Sequence, residues 1–218
     1  MISRDRRTIG KLLIGFQEPR GAFGPRVGPR MRDLEEQYQN IVAIAGLSGK
    51  LTTSLMQDWI DQVVEPAVVQ STCQPGPSTP SPQRRVLLLG DSLGGNTNQR
   101  TIEPLAEIGT QSMQIPPGTT SEIQPLDAVF FRQYKYLIKR IIHNVEMQNE
   151  PSDVESQKGI TNIHSLAWNQ FSAPIYEGLI RTAWKAIDSD FSRDEIPDTN
   201  RATVLDIQLK DLEGEACA

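Results

Sequence analysis

Two apolar runs, each delivering an aspartate, limit what this chain can fold into. Val86-Leu-Leu-Leu-Gly90 is a continuous apolar stretch, the pattern of a strand buried on both faces in the middle of a sheet, and it ends on Asp91. Thr110 to Ile115 reads as another strand, Pro116-Pro117-Gly118 as the turn after it, and Asp127 follows where an amphipathic helix begins. Open α/β sheets carry functional groups at the C-terminal ends of their strands. The expectation is a mixed α/β fold with Asp91 at a strand end and Asp127 at a helix start.

The rest of the chain extends that pattern. Thr8 to Phe16 is a candidate strand, closed by the turn-forming residues Gln17 to Pro25, and Asn40 to Ala45 is a second strand ending at Gly46. Thr52 or Thr53 can cap a helix with apolar positions Leu55, Met56, Trp59, Ile60, Val63 and Val64, which Pro66 is expected to stop. Residues 73–83 are rich in Pro, Ser and Thr and read as a linker. Asn96 to Ile108 reads as a helix interrupted at Pro104. From Ala128 to about Met147, Phe130, Tyr134, Leu137, Ile138, Ile141, Ile142 and Val145 form an apolar stripe, and Arg132, Lys135 and Lys139 line a neighbouring face. Helices are also expected at Ile163 to Asn169 and at Ala173 to Ile187, where Pro174 suits a first turn.

At 218 residues the chain can bury one substantial core. Residues 1–187 are expected to form one domain containing the linker, with 188–218 as an acidic, disordered tail. Cys73 and Cys217 lack metal-ligand spacing, which argues against a zinc site and for a reducing compartment. No apolar run is long enough to span a membrane and the Arg-rich start has no apolar core after it, so an intracellular, non-secreted protein is expected. The net charge of −5 argues against a generally basic nucleic-acid-binding surface, although residues 1–32 hold eight Arg and Lys against Asp5 and Glu18.

The block Pro116-Pro-Gly-Thr-Thr-Ser-Glu-Ile-Gln-Pro-Leu-Asp127, the aromatic and basic helix behind it, and Asp91 after Val86-Leu-Leu-Leu-Gly resemble the DDE endonuclease domain of pogo/Tigger/jerky-like transposases in the Tc1/mariner superfamily. Gly10-Lys-Leu-Leu, Phe23-Gly-Pro, Phe171-Ser-Ala-Pro and Ala183-Trp184 extend the resemblance over roughly residues 8–187. The resemblance implies an RNase H-like mixed sheet flanked by helices, a nuclear location, DNA as partner, and Mg²⁺ or Mn²⁺ held by carboxylates for DNA strand cleavage and transfer. Asp91 matches the second acidic position of that family and Asp127 the third. The opening strand with the first Asp is expected to be missing, since Asp5 lies in no apolar run, and activity is expected to be impaired because ligand number sets Mg²⁺ affinity. Arg132, Lys135 and Lys139 are the candidate phosphate contacts.

Competing readings follow from the same residues. Asp91 alone could be a turn residue, Asp127 alone an N-cap, and the basic stripe a solvated helix face. A non-enzymatic module that binds DNA, or another chain through exposed sheet surface, is the main alternative. A remote one is a GDSL-type esterase using Ser92 in Gly90-Asp91-Ser92-Leu93. It would need an Asp-x-x-His base, but His143 and His164 are preceded at that distance by Arg140 and Thr161. Trp59, Trp168 and Trp184 fit core packing better than base stacking.

Overall fold

The computed structural model describes residues 1–4, 7–48, 50–72, 86–91, 98–119, 124–147 and 153–185. Asp5, Ser92, both cysteines, the linker at 73–83 and the tail at 188–218 lie outside the described residues.

The described chain is mixed α/β. Strand β1 (Leu12–Gln17) pairs in parallel with β2 (Ile41–Gly46), and helix α1 (Val27–Gln37) crosses over between them. β1 is shorter than the run from Thr8 suggests: Gly10 turns the backbone at φ +68°, and Thr8 bridges back to Ile2. Helix α1 has a weak apolar face, burying only Met31 and Leu34 beneath Phe16 of β1. Its Glu35 accepts from the Ala43 N–H at 2.6 Å, occupying a backbone donor that an edge strand would otherwise expose.

Thr52 caps α2 (Thr53–Trp59) by accepting from Leu55 N at 3.4 Å. The expected stop at Pro66 does not occur. A π-helical turn at Ile60–Val64 leads into α3 (Glu65–Thr72), with Pro66 in its first turn. Proline cannot donate to the carbonyl four residues back and its ring would press on it. The widened turn shifts the hydrogen-bond ladder there and lets the helix continue.

β3 (Val86–Gly90) pairs in parallel with β4 (Thr110–Gln114), and α4 (Gln99–Glu107), capped by Asn98, connects them. Pro104 lies inside α4 and does not interrupt it. The expectation of a strand buried on both faces is corrected. Leu88 packs with Met56, Ile60, Val64 and Leu105, but Leu87 on the opposite face is 53% exposed, and β4 is the partner of β3 among the described residues.

A second π-helical turn, Leu126–Phe130, starts α5 (Phe131–Met147), followed by α6 (Gln157–Phe171), a 3₁₀ turn at Pro174–Tyr176 and α7 (Glu177–Lys185). α6 begins earlier than the expected Ile163 because Ser156 accepts from Gly159 N at 3.0 Å and supplies the cap. α5, α6 and α7 enclose the largest core, with Phe130 fully buried at 5.2 Å from the Phe171 ring and 6.2 Å from those of Tyr134 and Trp168. Trp168 is core, its Nε1 donating to Gly10 O at 3.2 Å, and Trp59 and Trp184 are partly buried. Asn40 donates to Ser165 O and Asn169 Oδ1 at 2.9 and 2.7 Å, joining the start of β2 to α6.

Candidate metal centre

Parallel pairing of β3 with β4 aligns the two segments that carry the aspartates. Gly90 is in register with Gln114, and Ile115 N donates to Gly90 O at 2.8 Å, so Asp91 leaves its strand beside the segment that leads to Asp127. That segment turns at Pro116–Thr119, where Thr119 N bonds Pro116 O at 3.3 Å and Gly118 takes φ +84°. Proline pre-sets the first central residue of such a turn, and the next needs a positive φ that favours glycine. Pro116–Thr119 therefore turns as its composition dictates.

The chain enters the helix at Gln124, whose carbonyl accepts from Ala128 N at 2.9 Å. Asp127 lies inside the first turn and does not cap it. Asp91 is half-buried, while Asp127 is exposed by area. Enough protein still surrounds the Asp127 carboxylate for desolvation to raise its pKa above the ordinary 3.8; Lys135 pulls it down and Asp91 pushes it up further. The two aspartates, from separate elements, therefore lie within electrostatic range of each other.

Arg132, Lys135 and Lys139 are exposed at i, i+3 and i+7 on α5, one face of the helix. The structure brings Lys135 into range of Asp127 and sets its Nζ 6.0 Å from the Phe131 ring centroid. His143 is exposed on α5. His164 Nδ1 is 2.8 Å from the Tyr134 hydroxyl, and burial lowers its pKa. Among the described residues, no group of three or more His, Cys, Asp or Glu could hold a metal ion, so the oxygen donors to consider are the two carboxylates. No described helix is long and apolar enough to cross a membrane.

Three nearby residues were not singled out by the sequence reading. Gln124 Oε1, three positions before Asp127, is buried without a hydrogen-bond partner. Tyr136 is 44% exposed, and Arg140 places its guanidinium carbon 5.9 Å from that ring's centroid. The i, i+4 spacing of Tyr136 and Arg140 was a legible signal for the pair, whereas nothing in the sequence marks Gln124 as unpartnered.

Neither a curated protein nor a solved structure matches the chain. The family model of the DDE superfamily endonuclease matches residues 31–189, a span that includes Asp91, Asp127 and all of α5. With that match covering most of its length, the chain belongs to the DDE superfamily endonucleases.

Proposed function

We propose that Asp91 and Asp127 hold a divalent cation, Mg²⁺ or Mn²⁺, for phosphodiester cleavage in DNA, within an RNase H-like domain derived from a nuclear transposase of the pogo/Tigger/jerky branch. The observation that carries this reading is that Asp91 and Asp127, from separate elements of a DDE endonuclease domain, lie within electrostatic range of each other. Domains of this family act on nucleic acid and generally use divalent metals.

The donor chemistry fits. Mg²⁺ prefers carboxylate oxygens and is commonly bound by one or two of them, with waters and substrate phosphates completing the shell. Asp91 raises the proton affinity of Asp127, an effect that a cation between the two would relieve, and the unpartnered Gln124 Oε1 is a further oxygen acceptor in the same segment. When bound, such an ion supplies Lewis-acid polarisation of the phosphate and lowers the pKa of a coordinated water.

The chain's own residues do the rest. Asp91 and Asp127 must both be deprotonated to act as ligands, so acid weakens the site. Lys135, beside Asp127, with Arg132 and Lys139 along the same face, draws a phosphate backbone toward the carboxylates. With two carboxylates among the described residues in place of the three acidic positions of the resembling family, the alignment of a pair of ions suffers and cleavage is impaired.

The test is nicking of supercoiled plasmid in Mg²⁺ by the wild type and by Asp91→Asn and Asp127→Asn. Slow nicking lost in both variants is expected; unchanged nicking by either removes that residue from the site. A second reading, a non-enzymatic module that associates with another chain, is favoured by the β3–β4 face on which Leu87 is 53% and Met113 48% exposed.

A further inference from the structure

We infer that the solvent face of α5 is a track for one unpaired DNA strand, with Tyr136 as a base-stacking platform. This rests on the placement of the reacting phosphate at Asp91 and Asp127. Between Asp127 and Glu146 the sequence has no acidic residue, and Arg132, Lys135, Lys139, Arg140 and His143 all fall within that interval. Arg132, Lys135, Lys139 and His143 follow one another at spacings of three and four, and Arg140 lies four residues after Tyr136, which brings all of them to the side of the helix opposite the buried stripe of Tyr134, Leu137, Ile141 and Val145. At 1.5 Å per residue the run from Arg132 to His143 covers about 16 Å, beginning at the helix end that carries Asp127. In a chain of net charge −5, an acid-free basic run of that length is complementary to a polyanion.

Tyr136 decides between one strand and two. Tyr136 lies within this run and is 44% exposed, with the Arg140 guanidinium carbon 5.9 Å from its ring centroid. A phosphate track on duplex DNA needs no aromatic ring, because the bases are stacked inside. An unpaired base can stack on an exposed tyrosine, and an adjacent guanidinium adds a cation–π contact. Stacking is tolerant of sequence, so the track would accept any base at this position.

The test is fluorescence anisotropy of the full chain in EDTA with a fluorescein-labelled single-stranded DNA oligonucleotide and with the same oligonucleotide annealed to its complement. The single strand should bind more tightly than the duplex. Tyr136→Ala should weaken single-strand binding roughly 5- to 150-fold and leave duplex binding unchanged, while Tyr136→Phe, which keeps the ring, retains wild-type affinity. Lys139→Gln should reduce the salt dependence of single-strand binding by about 0.7 in the log–log slope.

Equal affinity for duplex and single strand, or wild-type single-strand binding by Tyr136→Ala, overturns the inference. Metal is absent from this assay, so the two proposals fail separately. An inert Tyr136 with nicking that still depends on both aspartates rejects the track and keeps the metal site. A Tyr136 effect with nicking indifferent to the aspartates does the reverse.

Discussion

Asp127 ionises against its surroundings, and that has a measurable sign. Burial and Asp91 raise its pKa above 3.8 despite the attraction of Lys135. The folded state therefore holds this proton more tightly than the unfolded chain does, and stability falls as pH rises from about 3.8 through the folded value. Asp127→Asn removes the charge that opposes folding. In metal-free buffer its thermal midpoint should exceed that of the wild type at neutral pH, and the difference should shrink as pH falls toward 3.8. A variant less stable than the wild type at neutral pH would mean that the carboxylate stabilises the fold and is a structural residue.

Helices in this chain form where burial outweighs local sequence preference. The apolar stripe of α5 and the cap and apolar spacing of α2 were legible because hydrophobic periodicity is a strong signal. α1 was not, since Gly28, Pro29, Arg30 and Arg32 dilute its pattern and only Met31 and Leu34 reach the core. Pro66 misled for a different reason: a π turn, which depends on packing, absorbs the missing donor. The apolar run at Val86–Gly90 correctly marked a strand, but its burial depended on what lies against Leu87. Asp91 and Asp127 were legible as strand-end and helix-start residues, whereas their approach depends on tertiary structure, including the parallel register of β3 and β4. Phe130, fully buried where the π turn meets α5, joins α5 to α6. Phe130→Ala should cost about 3–5 kcal/mol in urea unfolding, and a loss below about 1 kcal/mol would show that this junction does not hold the core.

Across the whole molecule, two parallel strand pairs share space with helical cores, and charge and apolar surface are unevenly placed. The basic face of α5 starts beside the acidic pair, an arrangement suited to a polyanion approaching carboxylates that need a cation between them. The β3–β4 face presents Leu87 and Met113 outward, 53% and 48% exposed. Replacing both with Lys should lower any concentration-dependent association seen by light scattering without lowering the thermal midpoint, because neither side chain is in the core. Association that persists in the double variant would put the contact on another surface.

If Asp91 and Asp127 meet at one ion, calorimetric titration of the folded chain with Mg²⁺ and Mn²⁺ will detect it. Saturable binding by the wild type, lost in Asp91→Asn and in Asp127→Asn alike, is the predicted result. Binding that survives either substitution, or no binding to a protein shown by circular dichroism to be folded, would contradict it.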